Sequence, residues 1–315
     1  MNRRDFLARS AACSAAFLSS RLPARAQDDE TRALEVNPIT IPLPIRRKLT
    51  ALQISDTHIS LTDERDSQRQ REMAHQRAER FGGRSAEKFL AALIYAREKG
   101  ELFLPVGDLI DSCTAKNLDL LRACFADSDC FACVGNHEFY QWVGDGAKED
   151  EAYKHLSFDR VRAAYPNDLS FCSREVAGIN FVAFDDVFYY VADDLIDRFK
   201  AEAAKGLPIV ALCHCPLYTP ELFQETVARQ GVAYIVGASD EEIAHYPQDM
   251  FEEQRTNETT RAFLEYLRGE KALRAILCGH LHRTWQGAFS ETATMYISGA
   301  GFKRQANEIR FVPEA

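Results

Sequence analysis

Cys133-Val134-Gly135-Asn136-His137-Glu138 is the stretch on which the rest of the chain turns. The apolar run at residues 130–134 reads as a buried strand. It stops on a glycine, and a carboxamide, an imidazole and a carboxylate follow at once. A strand ending this way presents polar side chains where they can converge on a bound group. Four other places repeat the form. Asp56-Thr57-His58 follows the apolar residues 49–54, and Gly107-Asp108 follows 102–106. His214 follows 209–213, and Gly279-His280-Leu281-His282 follows 275–278. Singly, each is commonplace, a Gly-Asp turn or a hydrogen-bonded histidine. Together they gather five of the eight histidines at strand ends. Only His75, His155 and His245 fall in charged stretches, and they receive no role. Such a set predicts one site.

The order of the runs gives the fold class. Residues 86–99 carry Phe89, Leu90, Leu93 and Ile94 at helical spacing behind Ser85 as a cap, and Gly100 ends them just before a buried strand. Strand, helix, strand in this rhythm predicts an α/β fold. Further helices are expected within 115–126, 148–164, 194–204 and 259–267. Strands are expected at 169–176, 179–184, 209–213, 275–278, 293–298 and 308–312, more paired strands than a simple doubly wound sheet contains. Residues 27–47, with Pro38, Pro42 and Pro44, read as an extended lead-in. Residues 62–84 are densely charged and show no apolar face until Phe81; a lid, a partner surface and a solvated loop are the readings, with the solvated loop favoured. Residues 216–257 hold few strong signals and read as an excursion over the site. No internal repeat and no second complete domain are visible, so residues 48–315 are expected to form one domain.

Composition bounds the function. The chain has 315 residues, of which 46% are hydrophobic, enough for a substantial core, and its formal charge of −9 disfavours tight binding of nucleic acid. No apolar run is long enough to span a bilayer in the mature chain. Residues 1–26 stand apart. Arg3-Arg4 precede Phe6-Leu7, an Ala/Ser-rich stretch follows, and Ala24-Arg25-Ala26 offers a cleavage site before Gln27. This looks like a twin-arginine export signal, with the twin-arginine machinery as partner and a bacterial periplasmic or secreted location as the expectation. Nine cysteines, eight of them in the mature chain, would permit disulfides there, but several sit inside apolar strand runs, and the Cys130–Cys133 pair lies on a strand rather than at a helix start. They read as core residues, with pairing left open.

Read in order, Asp56-x-His58, Gly107-Asp108-x-x-Asp111, Gly135-Asn136-His137-Glu138, His214 and Gly279-His280-x-His282 resemble the calcineurin-like metallophosphoesterase family over roughly residues 49–300. The resemblance implies a four-layer αββα sandwich of two mixed β-sheets flanked by helices. It implies a dinuclear metal centre in which Asp56, His58 and His282 hold one ion, Asn136, His214 and His280 the other, and Asp108 bridges them. The donors are hard or borderline, none of them a thiolate, so Mn, Fe, Zn or Co is expected. The implied reaction is attack of a metal-bridging hydroxide on a phosphomonoester or phosphodiester, with His137 as general acid or transition-state contact. Glu138 is the expected orienting neighbour of His137. Asp111 is expected to be supporting or structural; it stands where purple acid phosphatases carry a metal-binding tyrosine, so a coloured iron(III) site is not implied. Phe139, Tyr140 and Trp142 are candidates for the wall of the substrate pocket.

Two other classes compete. One is a metal-binding or interaction module that keeps the fold and has lost catalysis; it predicts metal uptake without turnover. The other is a thiol redox protein built on Cys130 and Cys133, which predicts a metal-independent activity. The full ligand set together with His137 favours the hydrolase.

Overall fold

In the computed structural model, residues 33–126, 128–141 and 150–314 are described. Two mixed sheets account for the fold. At the edge of the first lies β1 (Glu35–Leu43), parallel to β10 (Gln305–Pro313). The latter runs antiparallel to β2 (Leu49–Ile54), which is parallel to β3 (Leu102–Pro105). The second sheet begins with an antiparallel pair, β4 (Phe171–Val176) and β5 (Ile179–Phe184). It continues in parallel through β6 (Ile209–Leu212), β7 (Leu273–Cys278) and β9 (Thr294–Ile297), and closes on antiparallel β8 (Trp285–Ala288). The central strands β5 and β6 are buried along their whole length and, Asn180 apart, apolar, because both faces are covered.

The helices follow in chain order: α1 (Gln68–Arg80), α2 (Ser85–Lys99), α3 (Ala115–Ala126), α4 (Glu151–His155) and α5 (Phe158–Arg162) come before the second sheet. Then come α6 (Leu195–Ala203), α7 (Pro220–Gln230), α8 (Asp240–Ile243), α9 (Gln248–Gln254) and α10 (Glu258–Gly269). None of the described helices is long and apolar enough to cross a membrane. Ile39, Ile41 and Leu104 from the first sheet, with Phe131 from the segment beside β3, meet Phe181, Val210, Leu212 and Leu277 from the second, filling the space between the sheets. On the outer face of the second sheet Phe184 meets Phe263 of α10 edge-on at 5.3 Å, and Phe199 of α6 lies 5.9 Å from the same ring. Helix α2 covers the first sheet, with Phe89 at 5.9 Å from Phe103. The sandwich of two mixed sheets flanked by helices is therefore present.

Several local expectations are corrected. The proline-rich lead-in is no mere approach: β1 buries Ile39, Ile41 and Leu43 on alternate positions and belongs to the sheet. Its prolines are tolerated because β1 is an edge strand, where a missing N–H costs no ladder bond. Residues 130–133 do run beside β3, but through isolated bridges at Cys130 and Cys133 rather than as a regular strand. The helix expected within 148–164 is two short ones, α4 and α5. Ile94 of α2 is exposed, outside the buried face made by Phe89, Ala92, Leu93 and Ala96. The 216–257 excursion holds three helices, two of them capped by local side chains: Thr219 for α7 and a Ser239–Glu242 capping box for α8. The largest correction is at 62–84. Residues 68–80 form α1, opened by a Ser67–Gln70 capping box, and the segment packs against the site instead of floating in solvent. Residues 1–26, with the expected export signal, lie outside the described residues, as does Trp142.

Candidate metal centre

Strands from both sheets end at one place. Asp56 and His58 follow β2, Asp108 follows β3, His214 follows β6, and His280 and His282 follow β7. Asn136 and His137 come from the segment beside β3. The loops are stitched by main-chain bonds: Asp56 N–H donates to Gly107 O, His58 N–H to Asp108 O, and Gly279 N–H to His214 O. Turning each polar side chain inward demands an unusual backbone. Asp56, His58, Asp108, His280 and His282 all lie at φ between 46° and 70°, a conformation costing on the order of 1 kcal/mol or more per residue. Strain is concentrated here. Gly135 is required for a different reason: a Cβ on it would fall on the Asp108 carboxylate and 2.5 Å from the Asp108 nitrogen.

The donor atoms form three overlapping triads, each within 4.8 Å: Asp56–His58–His282, His58–Asp108–His137 and Asp108–His214–His280. His58 Nε2 lies 3.0 Å from His282 Nε2, which is itself 3.4 Å from Asp56 Oδ1. On the other side His280 Nδ1 lies 3.1 Å from His214 Nε2, and that nitrogen is 3.2 Å from Asp108 Oδ2. The same Asp108 oxygen is 3.8 Å from His58 Nε2, so Asp108 stands between the two triads. Its other oxygen accepts the backbone N–H of His137 at 3.0 Å.

Tautomers show which way these rings look. His58 Nδ1 faces Asp111 Oδ1 at 3.0 Å, and His214 Nδ1 faces Val106 O at 2.8 Å. Both partners only accept, so each Nδ1 carries a proton and each Nε2 is the nitrogen turned inward. Asn136 adds an independent sign: its amide donates to Tyr140 Oη at 3.3 Å, while its Oδ1 is buried with no hydrogen-bond partner in the structure. An orphaned acceptor on the cavity that His58, Asp108 and His280 also line is what a cation would satisfy. The oxygen and imidazole donors suit divalent ions of borderline hardness. The residues present fit a metal centre.

Without a cation, the carboxylates and imidazoles of the cluster pair their charges with one another. Burial alone would raise the Asp108 carboxyl, yet His214 and His137 hold it well below the usual range. Asp56 is likewise opposed by burial and held at about 2, chiefly by His282. Burial lowers His214, but Asp108 and Asp56 outweigh it and raise the ring to about 10. His137 follows the same pattern, rising to about 9 through Asp108 and Asp111. Burial and the neighbouring His214 drive His280 down to about 3.

Around this cluster lies a set of buried carboxylates. Glu138, expected beside the His137 ring, is turned instead to the main chain. One oxygen accepts Leu109 and Ile110 N–H at 2.7 and 3.2 Å, the other Asp108 and Gly135 N–H at 2.9 and 2.7 Å. Burial and the charge of Asp108 push its carboxyl up to about 7, against these four donors. The group facing the His137 ring is Asp111, whose Oδ1 is 3.1 Å from His137 Nδ1. Asp186 accepts the N–H groups of His214 and Cys215 at 3.0 and 3.2 Å, and burial raises it to about 7.

Over the cluster opens a cavity of about 560 Å³. Arg77, Arg80 and Phe81 form one wall, and Gln230, Tyr234 and Glu253 from the 216–257 excursion form another. Tyr140 lines it and packs edge-on to His137 at 4.7 Å. Phe139 does not; it is fully buried against Phe158. Tyr189 donates or accepts at His280 Nε2 over 3.1 Å. Arg77, Phe81, Tyr189 and Tyr234 escaped the sequence reading, because nothing in a charged helix or a lone aromatic announces which distant loop it will touch. Cys130 and Cys133 are buried thiols pushed well above their ordinary range by desolvation, so neither has the thiolate character of a redox centre. His75 and His155 are exposed and sit beside i+4 or i−4 glutamates.

A family model described as calcineurin-like phosphoesterase matches residues 49–284. No curated protein sequence matches the chain significantly. Among solved structures, a dimetal phosphatase from Danio rerio is similar at 16% identity and a TM-score of 0.50, over 81% of this chain and 88% of that one. A putative 5'-nucleotidase from Staphylococcus aureus aligns at 13% identity and a TM-score of 0.42, over 81% of this chain and 49% of that one. A 5'-nucleotidase from Candida albicans aligns at 13% identity and a TM-score of 0.41, over 82% of this chain and 47% of that one. The chain thus spans about half the length of these two nucleotidases.

Proposed function

The chain belongs to the calcineurin-like phosphoesterase family, and on that premise we propose that it is a dinuclear metal-dependent hydrolase of phosphoric esters. In this reading Asp56, His58 and His282 hold one ion and Asn136, His214 and His280 the other, with Asp108 between them. The observation that carries it is the pair of donor triads, Asp56–His58–His282 and Asp108–His214–His280, with Asp108 Oδ2 3.2 Å from His214 Nε2 and 3.8 Å from His58 Nε2. Divalent ions bound there would supply Lewis acidity to a phosphoryl group and acidify a water near neutral pH.

The chain's own residues do the rest. Glu138 accepts the Asp108 backbone N–H and the His137 N–H donates to Asp108 Oδ1, which keeps the other oxygen, Oδ2, turned toward the two triads. His137 lines the cavity with Nδ1 engaged by Asp111, which leaves Nε2 as the nitrogen able to reach a substrate. It protonates the leaving oxygen. The aromatic and cationic walls exceed what a lone phosphate needs, so the ester carries a sizeable organic group. Export through the twin-arginine route, from residues 1–26, belongs to the same reading; a twin-lysine substitution at Arg3 and Arg4 should then hold the protein in the cytoplasm.

The test is hydrolysis of mono- and bis-(p-nitrophenyl) phosphate by the chain from Gln27. Chelated protein is resupplied with Mn, Fe, Zn or Co, with Asp108→Asn alongside. Turnover that metal restores and Asp108→Asn removes supports the hydrolase. Metal uptake without turnover on any ester favours the silent binding module.

A further inference from the structure

We propose that the charged segment from Leu61 to Phe81 is a brace for the metal centre, with Arg77 as its positioning residue: Arg77 fixes Asp111, and through it the tautomer and aim of His58 and His137. This rests on the reading of His58 as a ligand.

Arg77 grips Asp111 with both prongs, Nε to Oδ2 at 2.7 Å and Nη2 to Oδ1 at 2.8 Å. The pair is nearly dry; Asp111 is 2% exposed and Arg77 13%. Asp111 Oδ1 is shared with His58 Nδ1 at 3.0 Å and His137 Nδ1 at 3.1 Å. Planar fork-to-fork geometry fixes the carboxylate plane in a way a single ammonium cannot. Once that plane is fixed, His58 must keep its proton on Nδ1 and offer Nε2. A carboxylate behind a ligating imidazole does this in metal sites generally, and its loss typically weakens metal binding or activity 10–100-fold. Here the carboxylate is itself held by the inserted helix.

A second grip comes from the same segment. The Phe81 ring stacks on His58 at 4.3 Å and 8°, and the Arg77 guanidinium lies 4.9 Å from the centre of that ring. Arg77 and Phe81 are four residues apart, so the end of one helix delivers both to one side of His58. Gly82 and Gly83, at φ 77° and 76°, then turn the chain away.

The segment is anchored well enough to act as a brace. Leu61 N–H donates to Asn117 Oδ1 at 2.9 Å, Leu61 O accepts from Thr114 Oγ1 at 2.6 Å, and Asp66 Oδ1 accepts Ala115 N–H at 2.9 Å. Gln70 Nε2 reaches Gln141 O at 3.1 Å. An ion pair that merely pinned α1 to the body would need neither the shared Oδ1 nor the stacked ring.

The experiment measures binding of Mn²⁺, by titration calorimetry, to the chelated chain from Gln27 as wild type, Arg77→Lys and Arg77→Ala. Unfolding midpoints of the metal-free proteins and turnover of p-nitrophenyl phosphate are recorded in parallel. The expected result is 10–100-fold weaker binding at one site in both variants, with recovery in Arg77→Ala when millimolar guanidinium ion is added. Unchanged affinity would overturn the proposal. So would a loss that guanidinium does not repair and that accompanies a collapsed metal-free midpoint, since that marks a structural ion pair. If Arg77→Ala does not fold, Arg77→Lys decides alone by its affinity. Absent turnover in the wild type would count against the hydrolase and leave the affinity comparison intact.

Discussion

Replacing Glu138 by glutamine should both loosen the fold and disorder the candidate centre, although Glu138 is itself no expected ligand. Its two oxygens hold four buried main-chain N–H groups, two from each oxygen, and these belong to the loops that carry Asp108 and Asn136. Glutamine keeps one acceptor oxygen and turns an NH₂ group toward the other pair. Two N–H donors then lose their partner in a fully buried place, at about 1–3 kcal/mol each. Removing a desolvated charge offsets part of this, which leaves about 2–4 kcal/mol. For a domain of this size that is a fall of roughly 5–10 °C in the unfolding midpoint. Asp108 N–H is one of the four donors, so metal affinity should fall as well. Thermal unfolding of the chelated protein and calorimetric Mn²⁺ titration measure the two effects. A midpoint within a degree of wild type, with unchanged metal affinity, would refute the view that Glu138 ties the two loops together.

Three further outcomes follow from the same geometry. Gly135→Ala should abolish metal binding or fail to fold, because the added carbon meets Asp108 main chain and side chain; normal metal uptake by this variant would contradict the close approach. His137→Ala should lower kcat on p-nitrophenyl phosphate by about 10²–10⁴-fold, the usual worth of a positioned acid, while metal content by mass spectrometry stays at the wild-type level. Away from the site, hydrogen bonds from Lys99 and then Tyr95 hold Glu308 at about 2, below its ordinary 4.5. A depressed carboxyl stabilises the fold above its unfolded value and loses that effect as pH falls from about 4.5 toward 2. Glu308→Gln should therefore melt below wild type at pH 7, with the gap closing toward pH 2; a gap that does not depend on pH would sink this assignment.

The strand ends were legible because apolar runs with a glycine or polar stop have few other readings. That pattern alone drew Asp56, His58, Asp108, Asn136, His137, His214, His280 and His282 together, and the structure brings their donor atoms to one place. The sandwich was legible only through the resemblance; strand runs by themselves do not say which sheet each joins. What stayed hidden was long-range and polar. Helix α1 has no apolar stripe to betray it, since its inward contact is Arg77 on a buried carboxylate rather than a row of leucines. Glu138 was visible as a carboxylate next to a histidine, but its turn toward four N–H groups depends on how two loops meet. The β1 strand was masked by prolines that an edge position tolerates. In the 216–257 stretch the three helices are 11, 4 and 7 residues long, which leaves too little periodicity to read.

The most direct test of the central claim is anomalous diffraction from crystals of the chain from Gln27 grown with Mn²⁺. Two peaks are predicted, one against Asp56, His58 and His282 and one against Asn136, His214 and His280, with the Asp108 carboxylate between them. A single peak, or peaks away from these side chains, would contradict a dinuclear centre at the meeting of the two sheets.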